Sequence, residues 1–263
     1  MIFVCFPGTG KTYAAAETDD VFYLQPYVTW RHDDIPDTDA AGLSTAEIFF
    51  NRLMALTSEY RHVLIQFDFQ VVTMLNEQHI PYIVLAPDVS EPSLKDEYEQ
   101  RMFNKGHNTI YISTIIFHWE ELLDKVSQLS KTIVLLKSGE YVSQVIRAFD
   151  RVTQLIKIKA LYKGRLSMIA DFHGLPCKDW EFLKNFYGNI AVLEYHGEYM
   201  CFFYSEDDYA EPFFRTSPGI YSPVDGAAII RTRHYIYKWN VDTEFPETSF
   251  NAQRERLALS IFF

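Results

Sequence analysis

Eight residues near the beginning of the chain, Cys5-Phe6-Pro7-Gly8-Thr9-Gly10-Lys11-Thr12, leave few folds open. They follow the apolar run Ile2-Phe3-Val4 and run into Tyr13-Ala14-Ala15-Ala16-Glu17, a stretch of good helix formers. The segment matches the phosphate-binding pattern G-x-x-x-x-G-K-[ST], with Cys5 where the first glycine belongs. Gly8 and Gly10 let successive backbone N–H groups turn inward around a phosphate at the entrance to a helix. Lys11 adds a point charge for the β- and γ-phosphates, and the Thr12 hydroxyl is placed to ligate Mg²⁺. Gly8, Thr9, Gly10, Lys11 and Thr12 are therefore the expected phosphate-binding residues. Strand, glycine turn and helix together open a βαβ unit.

The sequence continues in that rhythm. Val21-Phe22-Tyr23-Leu24 reads as a second strand, followed by the acidic, exposed stretch Asp33 to Asp39. Ser44 to Tyr60 has helical periodicity, with a capping box formed by Ser44 and Glu47. Val63 to Phe67 is the next strand, Val71 to Gln78 a short helix, and Tyr82 to Leu85 a buried strand. A charged helix with a capping-box start at Ser93 runs to about Lys105, one longer helix is expected from Ile110 to Val126, and Thr132 to Leu136 closes the series. Short apolar strands alternating with helices predict an α/β fold of P-loop NTPase type, a parallel five-stranded sheet flanked by helices. The right-handed crossover rule puts the glycine turn at the carboxyl edge of that sheet.

After about Arg147 the texture changes, which gives two expected domains, 1–147 and 148–263. Val152 to Tyr162 looks helical. Beyond it lie aromatic strands, with Ile190 to Tyr195 and Glu198 to Tyr204 flanking His196-Gly197 as a hairpin, and further strands at Ala228 to Ile230 and His234 to Trp239. The C-terminal part is expected to be an α+β, aromatic-rich extension.

Charge narrows the function classes. Residues 1–147 hold 11 Lys/Arg against 20 Asp/Glu, a charge of −9, and the remainder 13 against 15, or −2. Neither half has the basic excess of a protein held to nucleic acid by its phosphates, so a DNA acceptor is disfavoured. Cys5, Cys177 and Cys201 show neither metal-ligand nor disulfide spacing, and read as free thiols of a reducing compartment. The eight histidines form no metal-type pair. Asp171 and His173 near Cys177 read as loop residues. No apolar run reaches the ~18 residues of a membrane span, and the apolar beginning lacks the basic start of a signal peptide. The expected location is the cytoplasm, or the host cytoplasm for a viral protein.

Asp68, at the carboxyl end of the third strand, stands where a second acidic residue would hold Mg²⁺; the competing reading is a helix N-cap. Arg101 and Lys105 lie four apart, on one face of their helix. There they would stabilise charge on a transferring phosphoryl group; the competing reading is a solvated face shared with Asp96, Glu97 and Glu99. The expected catalytic set is Lys11, Asp68 and Arg101, with Lys105 on the nucleotide and Thr12 and Asp68 on the metal.

Phe6 to Thr12 resembles the loop of the P-loop nucleoside/nucleotide kinase-like proteins of bacteriophages. Three further segments are similar to that family in order and spacing: His79 to Pro87, Leu94 to Arg101 continuing to Lys105-Gly106-His107-Asn108, and Leu136 to Val142. Trp119 also falls where the family places a tryptophan. The resemblance covers residues 1 to about 147. It implies an ATP- and Mg²⁺-dependent phosphotransferase with a nucleoside, nucleotide or modified base as acceptor, and a lid-like basic helix at Arg101 and Lys105. Two features depart from the family: Cys5, and the segment Tyr23 to Trp30, which has no carboxylate until Asp33. Asp33 or Asp34 would have to activate the acceptor. The alternatives are a catalytically degenerate P-loop protein with a structural or assembly role, using the aromatic C-terminal part as its contact surface, and a plain NTPase.

Overall fold

The computed structural model describes residues 1–26, 44–129, 132–177, 180–205, 212 and 214–263. Its contacts divide into two compact units, Met1–Ala148 and Phe149–Phe263. Among the described residues no helix is long and apolar enough to cross a membrane.

The first unit is an α/β layer structure. Its strands are β1 (Ile2–Cys5), β2 (Val21–Leu24), β3 (His62–Gln66), β4 (Tyr82–Pro87) and β5 (Ile133–Leu136), in the order β2-β3-β1-β4-β5. Every pairing is parallel, with Val4 opposite both Ile65 and Val84. The helices are α1 (Lys11–Glu17), α2 (Thr45–Glu59), α3 (Phe69–Glu77), α4 (Leu94–Asn104), α5 (Thr109–Phe117), α6 (Trp119–Leu129) and α7 (Val142–Leu155); the division between the units falls within α7. Ile2, Val4, Phe6, Val63 and Ile65 share one buried cluster with α2, α3 and α6. Phe3, Cys5, Leu64 and Ile83 are as deeply buried on the opposite face. Helices on both faces are why these strands read as unbroken apolar runs. Each such side chain taken wholly from water contributes about 1.5–3 kcal/mol.

Strand order also locates the crevice. The connection after β1 runs back past β3 to β2, whereas the one after β4 runs outward to β5. Connections that leave adjacent strands in opposite directions make a switch point, and open α/β sheets bind ligands outside the carboxyl ends of those strands. Residues 6–10, the β1–α1 loop, sit there.

Local chemistry sets the helix boundaries. Ser44 and Glu47 form the reciprocal capping box, with Glu47 N–H donating to Ser44 Oγ at 3.3 Å and Ser44 N–H to Glu47 Oε2 at 2.6 Å. No such box forms at Ser93, whose backbone is already helical and whose side chain caps nothing; Leu94 N–H donates instead to the Glu91 carbonyl at 3.0 Å. The single helix expected over 110–126 is two. His118 closes α5, donating its N–H to Thr114, and the chain turns so that Trp119 packs edge-on against Phe6 and Tyr98 at 5.1 and 5.6 Å.

The second unit is built on β6 (Lys157–Ala170), β7 (Tyr187–Tyr195), β8 (Glu198–Tyr204), β9 (Phe214–Arg215), β10 (Gly219–Val224), β11 (Ala227–Thr232) and β12 (Ile236–Glu244), with α8 (Trp180–Leu183) and α9 (Phe250–Phe262). The helix expected over 152–162 is instead the end of α7 and the start of β6. Ile156 N–H makes a last helical bond to Val152, and from Lys157 the chain pairs with β7. The antiparallel order is β10-β11-β12-β6-β7-β8-β9, and β10 also pairs with β8 through Gly219 opposite Tyr199. That pair closes six of the strands into a ring. Tyr162, Val192, Phe203, Ile230, Tyr237 and Trp239 pack inside it. At Gly164 a Cβ would come within 2.1 Å of the Asn240 carbonyl, so only glycine lets β6 and β12 approach this closely. The β7–β8 hairpin turns on His196 and Gly197, both at positive φ, which is the I′ geometry that matches strand twist.

Candidate functional site

The β1–α1 loop is held from both sides. Phe6 N–H donates to the Leu85 carbonyl of β4 at 2.9 Å, and Val142 N–H to the Thr9 carbonyl at 3.0 Å. Gly8 and Gly10 adopt φ of +83° and +89°. A Cβ on either would stand 2.9 Å from a ring carbon, of Tyr98 for Gly8 and of Tyr141 for Gly10. Left-handed backbone and close rings together restrict both positions to glycine. Cys5 ends β1 fully buried, and burial pushes its thiol up to about 11, so it stays a neutral, inert thiol.

Beside the loop opens a cavity of about 710 Å³. Gly8, Gly10, Lys11 and Thr12 form one wall; Tyr23 and Gln66, at the carboxyl ends of β2 and β3, form the floor. Lys105 comes from the end of α4, His107 from the link to α5, and Tyr111 from α5. The lining holds several cationic groups and, among the described residues, no carboxylate.

Lys11 is only 6 % exposed. Its ammonium donates to the Phe6 carbonyl at 3.3 Å and lies 5.6 Å from the centre of the Tyr23 ring. Burial pulls it down to about 8, with Cys5 opposing and the Lys105 charge adding to the fall. Burial likewise lowers Lys105. His107 sits below its ordinary value through burial and the charges of Lys105 and Lys11, its ring 5.2 Å from that of Tyr111. Burial raises Tyr23 and Tyr111, and the Tyr111 hydroxyl accepts from Gln66 Nε2 at 3.2 Å. Buried cations in a shared cavity, with the Lys105 charge felt by both Lys11 and His107, define a place where negative charge is favoured.

The expected site residues divide. Gly8, Gly10, Lys11, Thr12, Arg101 and Lys105 all line the cavity. Thr9 is buried and is not among the lining residues; its hydroxyl donates to the Phe6 carbonyl at 2.9 Å. Asp68 is the N-cap of α3, accepting from Val71 N–H at 3.1 Å, and is not part of the cavity wall. Arg101 is largely buried and ion-paired with Glu97. Asp33 and Asp34 lie outside the described residues. Among the described residues no three His, Cys, Asp or Glu side chains cluster as metal ligands. The Asp171 carboxylate organises its own loop, accepting from His173 and Leu175 N–H groups at 2.8 Å each.

Motif reading missed Tyr23, Gln66, His107, Tyr111 and Tyr141 as cavity residues. A positional signal existed for two of them, since Gln66 and Tyr23 lie at the carboxyl ends of β3, beside β1, and of β2, the next strand out.

The sequence matches no protein-family model and no curated protein. Among solved structures it is similar to an uncharacterized protein from Eubacterium ventriosum ATCC 27560, at 14% identity over 57% of this chain and 98% of that one, with a TM-score of 0.33. A likeness at that level assigns neither fold nor activity.

Proposed function

We propose that the first unit binds a nucleoside triphosphate through Phe6 to Thr12, read as a P-loop, and transfers its terminal phosphoryl group to a small acceptor such as a nucleoside, a nucleotide or a modified base. One observation carries this reading: a buried lysine ammonium on the wall of a large cavity, with a backbone carbonyl as its hydrogen-bond partner and no carboxylate among the described lining residues. A cation at that depth is costly to bury, and an anionic ligand is its natural complement. A triphosphate fits the residues present. The glycine loop offers N–H groups, Lys11 and Lys105 offer charge, and the cavity has room for a mononucleotide.

Mg²⁺ fits less well. Thr12 lines the cavity, but Asp68 is engaged as a cap, so the described donors do not make a metal site on their own. The metal would enter as the counter-ion of ATP. In transfer, Lys11 and Lys105 would oppose charge on the phosphate oxygens, while Gln66 and Asn108 offer uncharged hydrogen-bonding groups to the acceptor.

A second reading, a protein that binds the nucleotide without transferring phosphate, is favoured by the capped Asp68 and by a lining with no carboxylate among the described residues. The two separate in one assay: γ-labelled ATP and Mg²⁺ incubated with nucleosides, mononucleotides and DNA, with equilibrium ATP binding measured alongside. Labelled product that Lys11→Ala abolishes establishes the transferase and its acceptor class. Lys11-dependent binding without product selects the second reading. If ATP binds neither protein, both readings fail.

A further inference from the structure

We propose that Glu97 and Arg101 are positioning residues, whose ion pair fastens the β1–α1 loop to the turn between β5 and α7. The inference rests on the reading of that loop as a nucleotide site. It reverses the role that sequence suggests for Arg101, a direct contact to transferring phosphate.

The guanidinium is committed on several sides. Nη1 donates to the Gly8 carbonyl at 3.4 Å and to the Glu140 carbonyl at 3.1 Å, while Nη2 donates to Glu97 Oε1. Its carbon lies 4.6 Å from the centre of the Tyr98 ring and 4.1 Å from that of Tyr141. Glu97 spends its remaining acceptor capacity on the same turn, taking the Ser138 hydroxyl at 2.7 Å and the Gly139 N–H at 3.1 Å. One carboxylate–guanidinium pair thus ties together α4, the loop at Gly8 and the turn at 138–140.

The stacking has a second effect. Tyr98 and Tyr141 are the rings that close over Gly8 and Gly10, so the side chain that orders the rings also orders the glycine backbone. A planar fork with fixed donor directions suits this task, which a lysine could not perform. Burial alone would raise the Glu97 carboxyl, but the hydrogen bonds from Ser138, Gly139 and Arg101 outweigh it and keep the group ionised.

The two roles for Arg101 predict opposite signs for Glu97→Gln. If Arg101 serves phosphate directly, weakening its partner releases it, and nucleotide binding is preserved or strengthened. If the pair positions the loop, the same change loosens Gly8, and binding weakens.

The test uses the full chain, wild type, Glu97→Gln, Arg101→Lys and the double variant, titrated calorimetrically with Mg-ATP and Mg-ADP. The expected result is an about 10- to 100-fold loss for each single variant, equal for ATP and ADP, with the double variant no worse than the weaker single. Unchanged or tighter ATP binding by Glu97→Gln overturns the proposal, as does a loss confined to ATP. Amide hydrogen exchange without nucleotide supplies an independent readout. In Glu97→Gln the Val142 N–H, bonded to Thr9, exchanges at least about tenfold faster, while Val63 and Ile83 in the sheet report an intact fold. If wild type binds no ATP, the nucleotide reading fails on its own and the exchange result decides; Val142 protection unchanged from wild type overturns the positioning role.

Discussion

The two units handle their interiors in opposite ways. The first leaves space at the carboxyl edge of its sheet and lines it with lysines, an imidazole and tyrosine hydroxyls. The second closes strands around Phe203, Tyr162, Tyr237 and Trp239 and fills the ring with their side chains. Sites are built from groups that folding alone would not choose, such as a buried, charged lysine. Cores are built from groups whose removal costs stability and whose chemistry is silent. On this comparison a change in the ring is felt as stability, and a change around the cavity as affinity, even where it makes the empty protein more stable.

The largest effect is expected inside the ring. Trp239 is fully buried and touches Tyr221, Tyr162 and Phe203, so Trp239→Ala should destabilise the protein by about 3–5 kcal/mol in urea unfolding. Its indole N–H has no hydrogen-bond partner among the described residues. Trp239→Phe, which removes that unsatisfied donor, should therefore cost less than about 2 kcal/mol. Equal costs for the two variants would show that the N–H, and not the ring, carries the stability.

Lys11 should move stability the other way. In the unfolded chain it keeps its proton to its ordinary 10.5, and in the folded protein only to about 8. Below pH 8 both states are protonated and the fold bears the whole cost of a buried charge. Between 8 and 10.5 the unfolded chain binds more protons, so stability rises with pH. Lys11→Met should stabilise the empty protein at pH 7 by on the order of 3 kcal/mol, and that gain should vanish above about pH 10.5. Urea titrations of both proteins at pH 7, 9 and 10.5 measure it; a gain independent of pH would mean that the methionine simply packs better. Nucleotide affinity has the opposite dependence and should fall as pH rises through 8, because the neutral amine no longer attracts phosphate.

Asp68→Ala is expected to have the smallest effect, about 1 kcal/mol of stability from the lost cap of α3, with ATP affinity and its Mg²⁺ dependence unchanged. A Mg²⁺-dependent loss of affinity would instead put Asp68 in the site and blur the distinction between cavity and scaffold.

The legible and the hidden parts of the molecule follow from the range of the interactions. Ile2 to Cys5, Val63 to Ile65 and Tyr82 to Leu85 announce buried parallel strands, because burial on both faces is written into consecutive residues. Ser44 and Glu47 announce a helix start for the same local reason. His118 does not announce a break, since apolar residues continue on both sides and the turn is imposed by where Trp119 must pack. Ring closure rests on Gly219 opposite Tyr199, a pairing with no trace in any window of sequence. Asp68 carried both of its readings, cap and ligand, in one residue type at one position. Glu97 was hidden in plain view: four residues before an arginine it looks like a solvent-exposed helix pair, and only the folded turn at 138–140 gives it further work.

The strand order of the second unit also sets a schedule. β6 lies between β7 and β12, and Tyr162 pairs with Glu244 on that last strand. A ribosome adding about 5–20 residues per second leaves one edge of β6 bare for roughly 4–15 s after Ala170 is made. During that interval Lys163 and Arg165, which stand on the open hydrogen-bonding edge itself, put positive charge where a neighbouring chain would pair.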